Sequence, residues 1–110
     1  LKLMTGALKP EAGEVLYREK PLRSIGRREI ARRIAYIPQD PVFAFPFSVT
    51  EVILMGRAPY IGRFEFERES DLQMARDAME TVGISHLEKR LISEISSGER
   101  QLASIARALV

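Results

Sequence analysis

The sequence predicts an α+β fold in which a few short strands come first and a mostly helical region follows. Three observations carry this. The β-formers before residue 40 are confined to short runs at 14–17 and 34–37, cut off by turn residues or by Pro38. From residue 48 onward, Ser48 with Glu51, Ser70 with Gln73, Ser85 with Glu88 and Ser96 with Glu99 repeat one spacing, that of the capping box. After the last of these, Leu102, Ile105, Ala106 and Leu109 fall at i, i+3, i+4 and i+7, the apolar stripe of one helix.

The totals, 110 residues with 45% hydrophobic and 29% charged, suffice for one small domain with a modest core. Cysteine is absent, which excludes disulfides and thiolate metal sites and is compatible with a reducing cytoplasm. Seventeen basic residues against 15 acidic ones describe a mixed, solvated surface rather than a nucleic-acid footprint. The longest apolar run, 42–47, is far too short to span a membrane, and nothing in the opening residues reads as a signal peptide. Membrane association is expected only through a partner. Scattered Asp and Glu residues show no metal-ligand spacing, and there is no repeat or low-complexity tract. Residues 1–6 read as the tail of a helix closed by Gly6, and Val110 interrupts an apolar stripe without a C-cap. The expectation is an internal piece of a longer protein.

In chain order, Pro10 and Gly13 punctuate a turn. A short strand is expected at 14–17, a turn at 18–21, and Leu22 as the start of another edge. Gly26 with Glu29 predicts a short helix over 27–32. Its Arg27, Arg28, Arg32 and Arg33 have Glu29 among them and no interleaved aromatics, the pattern of a solvated face. A strand at 34–37 then runs into Pro38, Gln39 and Asp40. Ser48 opens a helix that Gly56 is expected to close. Residues 57–64 form a long connection with Pro and Gly breaks. Ser70 is expected to cap a helix carrying Leu72, Ala75, Met79 and Val82 as far as Gly83. Ser85 caps a single turn that exposes His86, the lone histidine, which reads as a surface residue.

The last helix has chemical content of its own. Ser97 and Gly98 occupy its first turn, where backbone N–H groups have no partner inside the helix. Small side chains there let an anion reach bare amides at the positive end of the helix dipole. An ordinary capped core helix would share the box alone. The full string, Ile95-Ser96-Ser97-Gly98-Glu99-Arg100-Gln101 continuing to Ala106-Arg107-Ala108-Leu109, closely resembles the signature segment of the ATP-binding cassette ATPases. The usual form is L-S-G-G-[QE]-R-Q followed by an apolar helix ending in A-R-A-L. Ile95 keeps the apolar anchor; Ser97 replaces the first glycine and sets a hydroxyl where phosphate would approach.

Within that resemblance, Tyr36-Ile37-Pro38-Gln39-Asp40 matches the Q-loop. Alone, a loop Gln after a strand is ordinary polar surface. Here the resemblance makes Gln39 the catalytic-site residue that approaches Mg²⁺, its only and indirect metal role through Mg-ATP, and the attacking water. Gln39 and Ser96 lie 57 positions apart, a separation that fits the family's inserted helical subdomain. The implied organisation is 1–40 as a partial ATPase core with an antiparallel β region, 41–95 as the helical subdomain, and 96–110 as the signature and its helix. For the parent protein the implied fold is an α/β P-loop ATPase of the ABC type.

Phe43, Phe45, Phe47, Tyr60 and Phe64 are more aromatics than a small helical unit needs in its core. They either pack inward on Ile53 and Met55 or border a groove for a helix of a membrane subunit. In the second reading, 43–47 and 57–64, with Arg57 and Arg63, make the partner contact. Phe45-Pro46-Phe47-Ser48-Val49-Thr50-Glu51-Val52 and Met55-Gly56-Arg57 also look like the importer branch serving iron chelates, haem and cobalamin.

The sequence contains no G-x-x-x-x-G-K-[ST] phosphate loop and no apolar strand ending Asp-Glu. These residues alone are therefore expected to bind ATP poorly and hydrolyse none. For the parent, the resemblance implies ATP and Mg²⁺ as cofactors and a head-to-tail dimer with a second ATPase subunit. Ser96, Ser97, Gly98 and Glu99 would cover the γ-phosphate held by that second subunit. Permease subunits are the implied membrane partners, placing the protein on the cytoplasmic face of the membrane; no nucleic acid is implied. Two alternatives stay open: an ABC-type ATPase with a non-transport role, and a small α+β interaction module without nucleotide function.

Overall fold

The computed structural model describes residues 1–39 and 41–110, in two units, Leu1–Tyr36 and Ile37–Val110. Asp40, the last residue of the Q-loop match, lies outside the described residues.

The first unit opens with a helical turn that ends as expected at Gly6, at φ +74°. Ala7 N–H donates to the Lys2 carbonyl at 3.0 Å and Gly6 N–H to that of Leu3 at 3.2 Å, the paired bonds of a Schellman closure. Strands β1 (Leu16–Tyr17) and β2 (Lys20–Pro21) pair antiparallel, with Tyr17 opposite Lys20. Lys20 and Pro21, expected in the turn, form the return strand instead. Arg18 and Glu19 both take positive φ, 48° and 67°, so the reversal needs only two residues. Leu22 does not extend the edge; it starts a 3-10 turn, Leu22–Ser24, and buries its side chain. Helix α1 (Arg27–Arg33) follows Gly26, with Arg33 donating to Glu29 at 2.8 Å one turn earlier. Residues 34–37 are not a strand. Among the described residues no strand lies beside them, so their β-formers have no ladder to join.

The second unit carries α2 (Val49–Leu54), which runs into a 3-10 turn (Met55–Arg57), then α3 (Glu69–Val82) and α4 (Ser97–Leu109). The three α-helices share one core, in which Val49, Val52, Ile53, Met79, Ile84 and Ile92 are almost fully buried. Burial of such a side chain contributes about 1.5–3 kcal/mol. The Ser48–Glu51 box forms as predicted, Ser48 Oγ accepting from Glu51 N–H and the Glu51 carboxylate from Ser48 N–H. Helix α3 starts earlier than expected. Asp71 Oδ2 accepts from Arg68 N–H at 2.9 Å, so the helix begins at Glu69 and Ser70 sits inside its first turn. Its end is as predicted: Gly83 at φ +78° closes a second Schellman pair, with buried Ile84 bonded back to Met79. Ser85 lies within its turn, Ser85–Leu87, without a side-chain cap.

Gly56 departs from its expected role as a helix stop, since its φ is not positive. It is a close-approach residue: a β-carbon there would overlap the Arg107 carbonyl oxygen and crowd Val110. The buried face of α4 matches the predicted stripe at Ala106 and at Leu102, which packs half-buried on the core, but departs from it elsewhere. Ala103, Ser104 and Ala106 are buried, whereas Leu109 is 57% exposed. Small side chains on the inner face of α4 let it lie close to α2 and α3, with Leu102 and Ile105 half-buried at its flanks. Finally, a backbone stitch joins the start of α2 to the segment 90–92. Val49 N–H donates to Arg90 O at 2.9 Å and Ile92 N–H to Phe47 O at 2.8 Å, with Ser48 bridged to Leu91.

Candidate functional site

The opening of α4 is built by reciprocal capping. Ser96 has extended dihedrals (φ −66°, ψ 163°), its Oγ accepts from Glu99 N–H at 3.2 Å, and Glu99 Oε1 accepts from Ser96 N–H at 3.0 Å. Ser96 N–H first, and then the Ser96 hydroxyl, hold the Glu99 carboxyl below the usual carboxylate range. Glu99 therefore faces back onto the cap rather than outward. Ser96, Ser97 and Gly98 are exposed, and nothing lies within 4 Å of where a Gly98 β-carbon would be. The Ser96 hydroxyl, whose proton faces the Glu99 carboxylate, can turn it to an arriving anion, and the Ser97 and Gly98 amides belong to the donors that no helix can satisfy internally. A turn of this composition fits an anion approaching along the axis of a 13-residue helix.

Gln39 is exposed and borders a cavity of about 410 Å³ together with Pro41, Val42, Phe43, Ile92, Ser93, Ser97 and Arg100. Gln39 and Ser97, which the resemblance assigns to different nucleotides, the subunit's own and the second subunit's, border the same cavity. Arg100 joins them and was not selected. Its position one residue after the cap glutamate, in the first turn of the same helix, was the available signal.

The aromatics divide between the two alternatives. Phe43 and Phe47 are half-buried against the core, while Phe45 (67% exposed), Tyr60 (44%) and Phe64 (91%) face outward. Phe45 meets Phe47 edge-on at 5.9 Å. Phe66, not selected from the sequence, is equally exposed. Beside them, a second cavity of about 610 Å³ is lined by Phe47, Glu51, Leu54, Met55, Ala58, Ile61, Gly62, Arg63 and Glu67. The Arg63 guanidinium lies over the Phe64 ring at 5.8 Å.

Arg57 is placed inward. Its Nε donates to Asp71 Oδ1 at 2.9 Å, Nη1 donates to the Val110 carbonyl at 2.9 Å, and the guanidinium covers the Tyr60 ring at 4.3 Å. The two side chains of the ion pair are only 15% and 7% exposed. The Asp71 carboxyl is held below its usual range, chiefly by Arg68 N–H and then by Arg57. His86 is exposed on its short turn. No helix among the described residues is long and apolar enough to cross a membrane.

Comparison with known proteins places these features in a family. The family model described as ABC transporter matches residues 1–110. The hemin import ATP-binding protein of Gloeobacter violaceus is 42% identical over 109 residues, covering 99% of this chain and 39% of that protein. The cobalamin import ATP-binding protein of Halobacterium salinarum is 36% identical, with 99% and 27% covered. Among solved structures, a metal-chelate type ABC transporter in an inward-facing conformation superposes with a TM-score of 0.77 at 32% identity, covering 97% of this chain and 38% of that one. The cbiO1 protein of Clostridium perfringens, at 24% identity and a TM-score of 0.71 over 96% and 42%, shares the fold. The chain spans 41% or less of the length of the first curated relatives it matches. It belongs to the ABC transporter family of ATP-binding proteins.

Proposed function

We propose that this chain is the part of an importer's ATPase subunit that covers, rather than cradles, the nucleotide. In this reading the opening turn of α4 receives the terminal phosphate of an ATP carried by a second ATPase subunit in head-to-tail arrangement. The Ser96 hydroxyl and the Ser97 and Gly98 amides donate to it. Gln39 faces the Mg²⁺ and attacking water of the chain's own nucleotide site. The exposed aromatics from Phe45 to Phe64, with Arg63, meet a permease subunit at the cytoplasmic face of the membrane. ATP with Mg²⁺ supplies the anion and its charge compensation. The cargo class is that of the relatives: iron chelate, haem or cobalamin.

One observation carries this reading: the capped first turn of α4 is open to solvent, with nothing near Gly98. Hydrogen bonds from such donors to a charged acceptor are worth about 1.5–3 kcal/mol each. Several together favour a closed dimer while the γ-phosphate is present and lose that advantage once it leaves, so hydrolysis can be converted into opening.

The test is Ser96→Arg in the full-length protein. The long cation blocks the turn and removes the hydroxyl, so cooperative ATP hydrolysis is expected to disappear while nucleotide binding by single subunits persists. Hydrolysis at the wild-type rate in this variant would overturn the proposal.

A further inference from the structure

We propose that Arg57 is a positioning residue that fastens the Tyr60-bearing connection to α4, so that a displacement of one is delivered to the other. The inference rests on the transporter reading above and adds to it the joint through which partner contact reaches the opening turn of α4.

Three observations meet at this residue. First, Arg57 and Asp71 form a nearly buried ion pair between the end of the α2 segment and the start of α3. A buried pair returns little stability over an apolar replacement, because desolvation offsets most of the attraction. What such a pair does provide is register, since neither charge can be left alone. Second, the residue before it, Gly56, touches the backbone of α4 at Arg107, and any side chain there would push the two apart. The turn Met55–Arg57 therefore lies on α4 with no intervening side chain to absorb movement. Third, the same guanidinium covers the ring of Tyr60 at 4.3 Å, and that ring is half-exposed. One planar group thus binds α3, rests beside α4 and supports an outward-facing aromatic. Lysine keeps the charge but has neither the plane nor the fork to do all of this.

A residue that merely fastens the core predicts a different result from one that transmits displacement. The full-length ATPase, purified with its permease in lipid vesicles, is compared as wild type, Arg57→Lys and Arg57→Ala. Three quantities are read: ATP affinity, hydrolysis by the ATPase without permease, and cargo transported per ATP hydrolysed. Arg57→Lys is expected to leave the first two within about twofold and to lower the third about five- to tenfold, the lower end of ordinary inter-site coupling. Arg57→Ala is expected to show the same fall together with a lower melting temperature. A transport ratio equal to wild type in Arg57→Lys would overturn the inference. So would equal losses in hydrolysis without permease and in transport, which would mark a fastener only. If instead the wild-type protein shows no ATP-dependent transport, or Ser96→Arg leaves hydrolysis unchanged, the transporter reading itself fails.

Discussion

Gly56 and Arg107 approach so closely that the carbonyl oxygen of Arg107 occupies the space of a side chain at 56. Neither position is near the opening turn of α4, yet this contact sets how α4 lies on α2. Gly56→Ala in the full-length protein is expected to cost about 1–3 kcal/mol, the usual penalty of overpacking. Urea unfolding should show a lower midpoint with an unchanged slope. An unaltered midpoint would mean the two segments separate freely.

Acid should act on the two capped carboxylates. Asp71 and Glu99 both have folded-state values below their ordinary ones, each chiefly through a backbone N–H, of Arg68 and Ser96 respectively. A depressed value adds stability above the unfolded-state value and loses it as pH falls through the folded-state value. Stability should therefore decline on acidification, and Asp71→Asn or Glu99→Gln should each flatten that decline. Melting temperatures across the acid range check this. Variants with the wild-type slope would deny both carboxylates a role.

Phe64 is almost fully exposed, so Phe64→Ala should change stability by less than about 0.5 kcal/mol. Tyr60→Ala also removes the ring under Arg57, worth about 0.5–1 kcal/mol at a partly exposed site. Under the proposed permease contact, both should weaken association with that subunit, measured by co-purification and titration in detergent. Unchanged association would place the docking surface elsewhere.

Ser104 is fully buried in α4, and its hydroxyl has no partner among the described residues. An unsatisfied buried polar atom costs about 1–3 kcal/mol, so Ser104→Ala in this 110-residue chain should be neutral or stabilising. Chemical denaturation decides it. A clear loss of stability would show that the hydroxyl has a partner after all.

What could be read directly from the residues was local. The boxes at Ser48 and Ser96, and the closures at Gly6 and Gly83, each depend on residues within one or two turns, and each formed as predicted. Misreadings arose where one local pattern competed with another or where a distant segment decided. Ser70 with Gln73 imitated a cap, but Asp71 reaches Arg68 N–H first. The apolar stripe of α4 was drawn through Leu109, whereas small residues set the buried face because neighbouring helices come close. Residues 34–37 have strand composition without a neighbouring strand among the described residues. Gly56 carries no mark of its contact with Arg107, because that contact spans half the chain. For the candidate site, spacing identified the turn at Ser96 to Glu99 and the family pattern identified Gln39. Arg100, which reaches their shared cavity, depended on the path of the chain between them.

The backbone stitch between 47–49 and 90–92 has a consequence for how such a helical excursion can be housed. Departure and return points lie side by side, so the forty-odd intervening residues form a closed excursion whose α2 and α3 share their core with α4. An excursion of that kind can be lodged in a surface connection of a host domain without bending the host's own path. Its length and decoration can then vary from one protein to another while the chain on either side of the stitch keeps its place.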